Sequence, residues 1–267
     1  MEFAASQCLS DVDCAFPWSR PFGYRRGVSD IRNIVILTGA GVSAESGLAT
    51  FRGPDGLWEG HRVEDVCTPE AFVRDWALVQ KFYDERREKL AHVKPNAAHE
   101  ALARLDAAWP GDLLIVTQNV DDLHERAGAK RLLHMHGELC SAWCTACGIR
   151  MRWAEGLGDG PPCPGCGTAR VLRPDIVWFG EMPYGMGQIE QALSNADLFV
   201  SIGTSGAVYP AAGFVQTARH HGARTLELNL DPSAGSIFFD ETRLGPAGEQ
   251  VPKWVDELLM HSVSDAS

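Results

Sequence analysis

Two histidines stand one residue apart in "HMHGEL", residues 134 to 139, and shortly downstream four cysteines read "CTAC", fifteen residues, then "CPGC". Imidazoles two apart in an extended segment face the same way, so His134 and His136 can serve as metal ligands, as satisfied polar groups or as a general base. The cysteines narrow that choice. Two CxxC turns each supply two thiolates, and Cys144, Cys147, Cys163 and Cys166 together complete a tetrahedral Zn²⁺ shell. Four sulfurs leave no open position, so the zinc is structural, a source of folding energy and not a Lewis acid. A redox dithiol or disulfides are the weaker reading, given the paired spacing and no export signal. With that metal saturated, neither histidine is needed as its ligand, and no carboxylate-rich segment offers to complete a second metal site with them.

A second chemical feature is "ILTGAGVSAESG", residues 36 to 47, which fits the GxGxxG/A fingerprint through Gly39, Gly41 and Ala44. Glycines there let the backbone approach a pyrophosphate, and amide groups at the following helix start favour its charge. An ordinary dehydrogenase would continue into a helix, a second strand and an acidic residue about 20 positions on. Instead the chain reads "LATFRGPDGLWEG", unlike a strand, with Glu59 isolated in a loop. Hydride transfer thereby loses its main support. Two further polar strand ends, "IGTSGAVYP" and "LNLDP", offer Gly203, Thr204, Ser205 and Asn229 to phosphate and ribose hydroxyls. Each alone reads as a turn; three at strand ends of one sheet make a dinucleotide crevice.

Such a crevice needs a sheet to hold it. Six apolar, β-branched-rich runs, "NIVILTGA", "DLLIVTQN", "KRLLHMHG", "DIVWFGE", "DLFVSIGTS" and "ARTLELNL", predict strands of a covered parallel sheet. Helical segments separate several of them: Thr68-Pro69 is a cap and first helical residue, Pro210 opens a helix running to Gly222, and Pro252 opens a final one. The alternation argues for an α/β, Rossmann-like doubly wound parallel sheet. A smaller lobe, made of a four-cysteine zinc ribbon at 140–170 and a helical insertion at 61–95, interrupts it. The expected organisation is an N-terminal extension at 1–30, the sheet domain from 31–60, 96–139 and 171–261, and a tail at 262–267.

The whole chain has 267 residues, about 45% apolar, enough for one elaborated domain or two. With 24 basic and 35 acidic residues its formal net charge is −11, which opposes sequence-blind binding to nucleic acid or anionic membrane. No apolar run approaches the roughly 18 residues of a membrane span, and residues 1–30 lack a secretory hydrophobic block. A cytoplasmic protein is expected. The leader mixes Arg20, Arg25 and Arg26 with Glu2, Asp11, Asp13 and Asp30, unlike a basic transit peptide. It reads as a variable, partly disordered extension without assignable chemistry, its Cys8 and Cys14 inert.

The blocks "GAGVSAESGLATFRGPDGLW", "TQNVDDLHERAG", "HMHGEL", the four-cysteine module, "IVWFGE", "GTSGAVYPAAGF" and "LNLDP" closely resemble those of the sirtuin family, in sirtuin order, over residues 33 to about 260. That resemblance implies an NAD-consuming protein-lysine deacylase in which NAD is cleaved at the nicotinamide bond. It places Gly39 to Trp58 as the cofactor loop, with Gly39, Ala40, Gly41, Ser43 and Glu45 at its start and Phe51, Arg52 and Trp58 further on. Gln118, Asn119, Val120 and Asp121 line the nicotinamide pocket; Gly203, Thr204, Ser205, Asn229, Leu230, Asp231 and Ala247 hold the adenosine half. His136 is the catalytic base, immediately before Gly-Glu, and Asn119 assists it, while His134 is a polar group satisfied beside the site. Val177, Trp178, Phe179 and Gly180 form the edge to which an acyl-lysine peptide adds as a β-strand. The implied mechanism has the acyl oxygen attack the ribose as nicotinamide leaves, with His136 deprotonating a ribose hydroxyl, to give lysine and O-acyl-ADP-ribose.

The helix "PEAFVRDWALVQKFYDERREKLAHV" carries an apolar stripe of Phe72, Trp76, Val79, Tyr83 and Leu90, and Arg86 falls on it. An inward guanidinium is costly unless an anion meets it. The anion is either an internal partner, Glu64 or Asp65, or the free carboxylate of a succinyl, malonyl or glutaryl lysine read by Tyr83 and Arg86. The Tyr-x-x-Arg pair also resembles that of desuccinylating sirtuins, including bacterial deacetylase/desuccinylase members, and acetyl-lysine remains a substrate. The rival functions are mono-ADP-ribosyl transfer and a non-catalytic acyl-lysine reader. The chain is expected to act as a monomer.

Overall fold

The structure, a computed structural model, describes residues 31–49 and 60–264, with side chains to residue 260. The leader, the segment carrying Phe51, Arg52 and Trp58, and the last three residues lie outside the described residues.

Each apolar run becomes a short strand because its residues must be buried on both faces. In β1 (Ile34–Thr38), Ile34 and Ile36 point to one side of the sheet and Val35 and Leu37 to the other, and all are buried. The same holds for β7 (Leu198–Ile202), and for β2 (Leu113–Thr117) and β8 (Arg224–Asn229) apart from the half-buried Leu114, Arg224 and Asn229. With β3 (Leu132–His134) and β9 (Glu241–Leu244) they form a six-stranded sheet in the order β3-β2-β1-β7-β8-β9, all pairs parallel. One face is covered by α5 (Ala97–Ala108) and α9 (Ala247–Ser264) through Leu102, Leu105, Val251 and Trp254. The opposite face is covered by α7 (Met186–Asn195) and α8 (Phe214–His220) through Ile189, Leu193, Phe214 and Val215. From β1 the chain moves outward to β2 and β3 and later restarts on the other side at β7. The order therefore reverses between β1 and β7, opening a crevice at their carboxyl ends.

One expected strand is elsewhere. Within "DIVWFGE" only Asp175 and Ile176 are in a strand, β6 (Leu172–Ile176), which pairs antiparallel with β4 (Gly137–Cys144) in a separate sheet of order β5-β4-β6, with β5 at Arg150–Arg152. Val177 to Glu181 leave it as loop and turn. The sixth parallel strand is β9, whose "ETRL" has no apolar run because this edge strand is largely exposed.

The small helices α2 (Val63–Val66) and α3 (Pro69–Arg74) precede the long α4 (Trp76–His92). Thr68 caps α3 as expected, its hydroxyl accepting from Ala71 N at 3.0 Å. The Pro210 helix begins as a tight 3-10 turn, Ala211–Gly213, before α8, and Pro252 lies inside α9 instead of opening it. Val79, Phe82 and Tyr83 of α4 pack on Trp178, Ile176, Leu139 and Leu123 of α6 (Leu123–Ala127). Around the cysteines only a small cluster forms, Ala142, Leu157 and Leu172 with Cys144 and Cys163.

Candidate active site

The four cysteine sulfurs lie within 4.8 Å of one another, with Cys144–Cys166 and Cys147–Cys163 at 3.8 Å. A tetrahedron of 2.3 Å Zn–S bonds has edges of about 3.8 Å, so the donor set and its spacing fit a closed four-thiolate zinc site. Cys147 N and Gly165 N donate to Cys144 Sγ and Cys163 Sγ at 3.4 and 3.3 Å, as amides do toward thiolates. Zinc there supplies the cohesion that the small cluster around it lacks. His134 and His136 belong to no group of potential metal ligands among the described residues.

At the crevice the backbones of β1 and β7 meet directly. Gly39 N donates to Ile202 O at 3.0 Å and Gly41 N to Gly203 O at 2.8 Å. A Cβ on Gly39 would stand 2.7 Å from Gly203 O, and one on Gly203, whose φ is +61°, 2.5 Å from Val42 N. The glycines are thus required by the contact between two strand ends, a demand that the fingerprint motif alone does not reveal. The loop opens into the single turn α1 (Gly41–Ala44), followed by Glu45, which accepts from Gly248 N at 2.8 Å and so ties the loop to α9 beside Ala247. Thr204 joins three strand ends: its hydroxyl accepts from Gln118 Nε2 at 3.2 Å and its carbonyl from Asn229 Nδ2 at 2.8 Å. Ser205, Leu230 and Asp231 sit on the loops of the same edge.

Behind β2, Asn119 Nδ2 donates to Gly39 O at 3.1 Å and to Ser43 Oγ at 3.2 Å, and Ser43 Oγ donates to Asp121 Oδ2 at 3.0 Å. Asn119 and Asp121 are buried. Burial pushes the Asp121 carboxyl up, against hydrogen bonds from Leu123 N and Ser43 and the charge of His134.

His136 sits in the turn between β3 and β4, its Nδ1 3.1 Å from Gln118 O. A carbonyl only accepts, so Nδ1 carries the proton and Nε2 keeps a lone pair. Burial holds its pKa below the usual 6.5, the Gln118 bond opposing in part. His134, at the end of β3, has Nδ1 3.0 Å from Asn119 O and Nε2 2.7 Å from Glu125 Oε1. Both nitrogens face acceptors, leaving no lone pair for base chemistry.

Tyr83 is fully buried; its hydroxyl accepts from Trp178 Nε1 at 2.9 Å and is hydrogen-bonded to the Cys67 thiol. Arg86 is also buried, donates to Phe82 O at 2.6 Å and stacks its guanidinium 3.1 Å from the Phe82 ring centre. Glu64 and Asp65 pair with Arg62 and Arg74 at the surface. Val177 N donates to His136 O at 2.9 Å and Phe179 N to Cys67 O at 3.0 Å, so residues 177–180 run between the histidine turn and the helical insertion. Arg173 grips Glu181 through both nitrogens, at 2.7 and 2.9 Å, while Glu181 accepts from Trp178 N. This buttress was not anticipated, nor were His99 and His124, fully buried in edge contact 4.9 Å apart behind the glycine loop, with His124 Nε2 3.0 Å from Thr38 Oγ1. One signal for His99 is the spacing Asn96-x-x-His99 at a helix start, a capping box.

The family profile described as Sir2 family matches residues 39–210. A NAD-dependent protein deacylase of Vibrio parahaemolyticus is 57% identical over 230 residues, 85% of this chain and 95% of that protein. One of Leishmania major is 57% identical over 237 residues, 87% of this chain and 98% of that protein. Among solved structures, a Sir2 homolog in complex with NAD superposes with TM-score 0.78 at 38% identity, over 90% of this chain and 93% of that one. A Sir2 bound to an acetylated peptide gives 0.74 at 26%, over 86% and 94%. A profile spanning more than half of the residues, and relatives matched along nearly their whole length, establish that this chain belongs to the Sir2 family.

Proposed function

We propose that the chain is an NAD-dependent protein-lysine deacylase that removes succinyl, malonyl or glutaryl groups, and acetyl groups, giving nicotinamide, O-acyl-ADP-ribose and free lysine. The observation that carries the reading is the juxtaposition, at one sheet edge, of the Gly39–Gly41 and Gly203 backbones, the buried Asn119 and Asp121, and an unligated His136 with its Nε2 lone pair. Bound NAD supplies the electrophilic ribose carbon that accepts the acyl oxygen as nicotinamide departs.

The chain's own residues do the rest. Gly39 to Gly41 and Gly203 to Ser205 present backbone to the pyrophosphate, Asn229 to Asp231 and Ala247 bound the adenosine end, and Gln118 to Asp121 bound the nicotinamide end. His136 Nε2 accepts the proton, its Nδ1 kept protonated by Gln118 O. Val177 to Gly180 take the peptide backbone, and the Trp178 indole donates to the Tyr83 hydroxyl. Tyr83 and Arg86 read the distal carboxylate of a dicarboxylic acyl group; the Arg86 guanidinium supplies charge and a planar donor fork. In this reading the parallel-sheet domain binds NAD, the acyl peptide lies between the helical insertion at 61–95 and the segment 177–180 that follows β6 of the smaller sheet, and the chain works as a cytoplasmic monomer on protein substrates without nucleic acid.

The test uses a succinylated and an acetylated peptide with NAD, and mass spectrometry of the co-product. O-succinyl-ADP-ribose is expected from the first, with Arg86→Met losing about a hundredfold of succinyl turnover, the value of one charged hydrogen-bond pair or two, and little of acetyl turnover. Equal loss on both peptides would make Arg86 a structural residue. Labelled ADP-ribose on protein without deacylation would replace hydrolysis by transferase activity, and peptide binding without nicotinamide release would leave only a reader.

A further inference from the structure

The catalytic reading uses His136 and gives His134 no task, although His134 is held from both sides. Thr117 pairs with His134 across β2 and β3, and Met135 N donates to Thr117 O at 3.0 Å, so residues 134–136 run alongside 117–119. The consecutive carbonyls of Gln118 and Asn119 each face an imidazole Nδ1, from His136 and His134 respectively. The two rings differ at their other ends. His134 Nε2 lies 2.7 Å from Glu125 Oε1, a charge-assisted distance, and because carbonyl and carboxylate both only accept, this geometry favours the imidazolium, which donates from both nitrogens.

Its surroundings favour that charge. Asp121 and Asp122 from the loop, Glu125 from α6 and Glu138 from β4 share a cleft of about 150 Å³ with Arg126 of α6 and Arg152 of β5, so acids outnumber bases. Cys140 of β4 lines the same cleft, and the buried His124 of α6 is held neutral. Desolvation works against the imidazolium, but the Glu125 bond and charge, Asn119 O and Glu138 raise its pKa above 6.5. The same positive charge opposes the cost of burying ionised Asp121.

We propose that the His134–Glu125 ion pair is a positioning clamp on the segment Gln118 to Asp121, closed only while the imidazole carries both protons. The clamp rests on the reading of that segment as the nicotinamide pocket. When His134 loses a proton, Nδ1–H stays with Asn119 O, but the bare Nε2 faces a carboxylate and that contact breaks. Asp121 loses its neighbouring cation at the same moment. A group whose folded pKa is raised contributes below it, so the clamp opens as pH rises through that value.

The test compares wild type with Glu125→Gln and Glu125→Asp. Glu125 is 40% exposed, so these variants are expected to fold, which their urea midpoints check. In ¹⁵N-histidine NMR of the ligand-free protein, His134 is expected to titrate above 6.5 in wild type, lower in Glu125→Gln, and between the two in Glu125→Asp. In nicotinamide-release kinetics, Glu125→Gln is expected to raise KM for NAD about fivefold at pH 7 with kcat little changed, as for a lost charge-assisted hydrogen bond that serves binding. The wild-type KM is expected to climb toward the variant's at alkaline pH. A His134 titration unmoved by Glu125→Gln, or KM profiles that superimpose across pH, would overturn the clamp while leaving deacylation standing. Absence of nicotinamide release would instead sink the deacylase reading, and the NMR titration would still report whether the pair exists.

Discussion

His136 and His134 are the same residue type, two apart, and the partner on the second ring nitrogen separates them. His136 bonds one carbonyl through Nδ1 and keeps Nε2 basic; His134 is saturated. A general base works in its unprotonated form, and activity falls as pH drops through its pKa. Burial sets the value of His136, the proposed base, below 6.5 in the ligand-free protein, so the acid limb of kcat/KM is expected below pH 6.5. A kcat/KM profile on acetyl-peptide checks this, and an inflection above pH 6.5 would assign the limb to another group. Tyr83 and Arg86 illustrate the reverse case, in which the helical stripe already placed both side chains inward and the structure adds what they touch, Trp178, Cys67 and Phe82.

Between elements, the decisive contact is β1 against β7 at their carboxyl ends. Gly203→Ala would set a Cβ 2.5 Å from Val42 N in a left-handed conformation, where backbone and not a flexible side chain must yield. Gly128→Ala, with φ +105° and nothing within 4 Å of its Cβ, carries only the conformational term. The expected outcome is destabilisation of about 1 kcal/mol at Gly128 and at least about 3 kcal/mol at Gly203, from strain plus steric overlap. Urea denaturation midpoints measure the difference; equal shifts would mean the β1–β7 contact relaxes freely. The Arg173–Glu181 pair plays a related part in the smaller sheet, fixing the turn after β6 that carries Trp178 to Gly180.

For the whole molecule, two buried histidines outside the proposed catalytic role lower stability in acid. Burial lowers His99 to about 4, and His124 to about 3 with His99 and His134 charges adding to the effect. Depressed folded values mean that stability is intact above the unfolded value near 6.5 and is lost as pH falls from there toward 4 and 3. Each ring is expected to remove roughly 2 kcal/mol between pH 7 and pH 5, because the unfolded chain takes up the protons that the folded one refuses. Urea unfolding at the two pH values checks it. A midpoint that holds steady would show that these rings accept protons inside the fold.

The chain alone pointed to the zinc, since two CxxC pairs at that spacing complete one tetrahedral thiolate shell, and to the α/β class, since runs buried on both faces must be covered strands. The glycine loop, the polar strand ends and the family resemblance were likewise legible, because each is a local pattern. Three matters were not. "DIVWFGE" is as apolar as a core strand, but whether it joins the large sheet or the small one depends on β4, and β9 pairs through its backbone without an apolar signature. The His99–His124 pair and the Arg173–Glu181 buttress are polar groups buried by residues distant in sequence. The partner that favours a charged His134 is Glu125, nine residues away on another element. Short-range pattern fixes residue type and period; which donor meets which acceptor is decided only when strands and helices close around them.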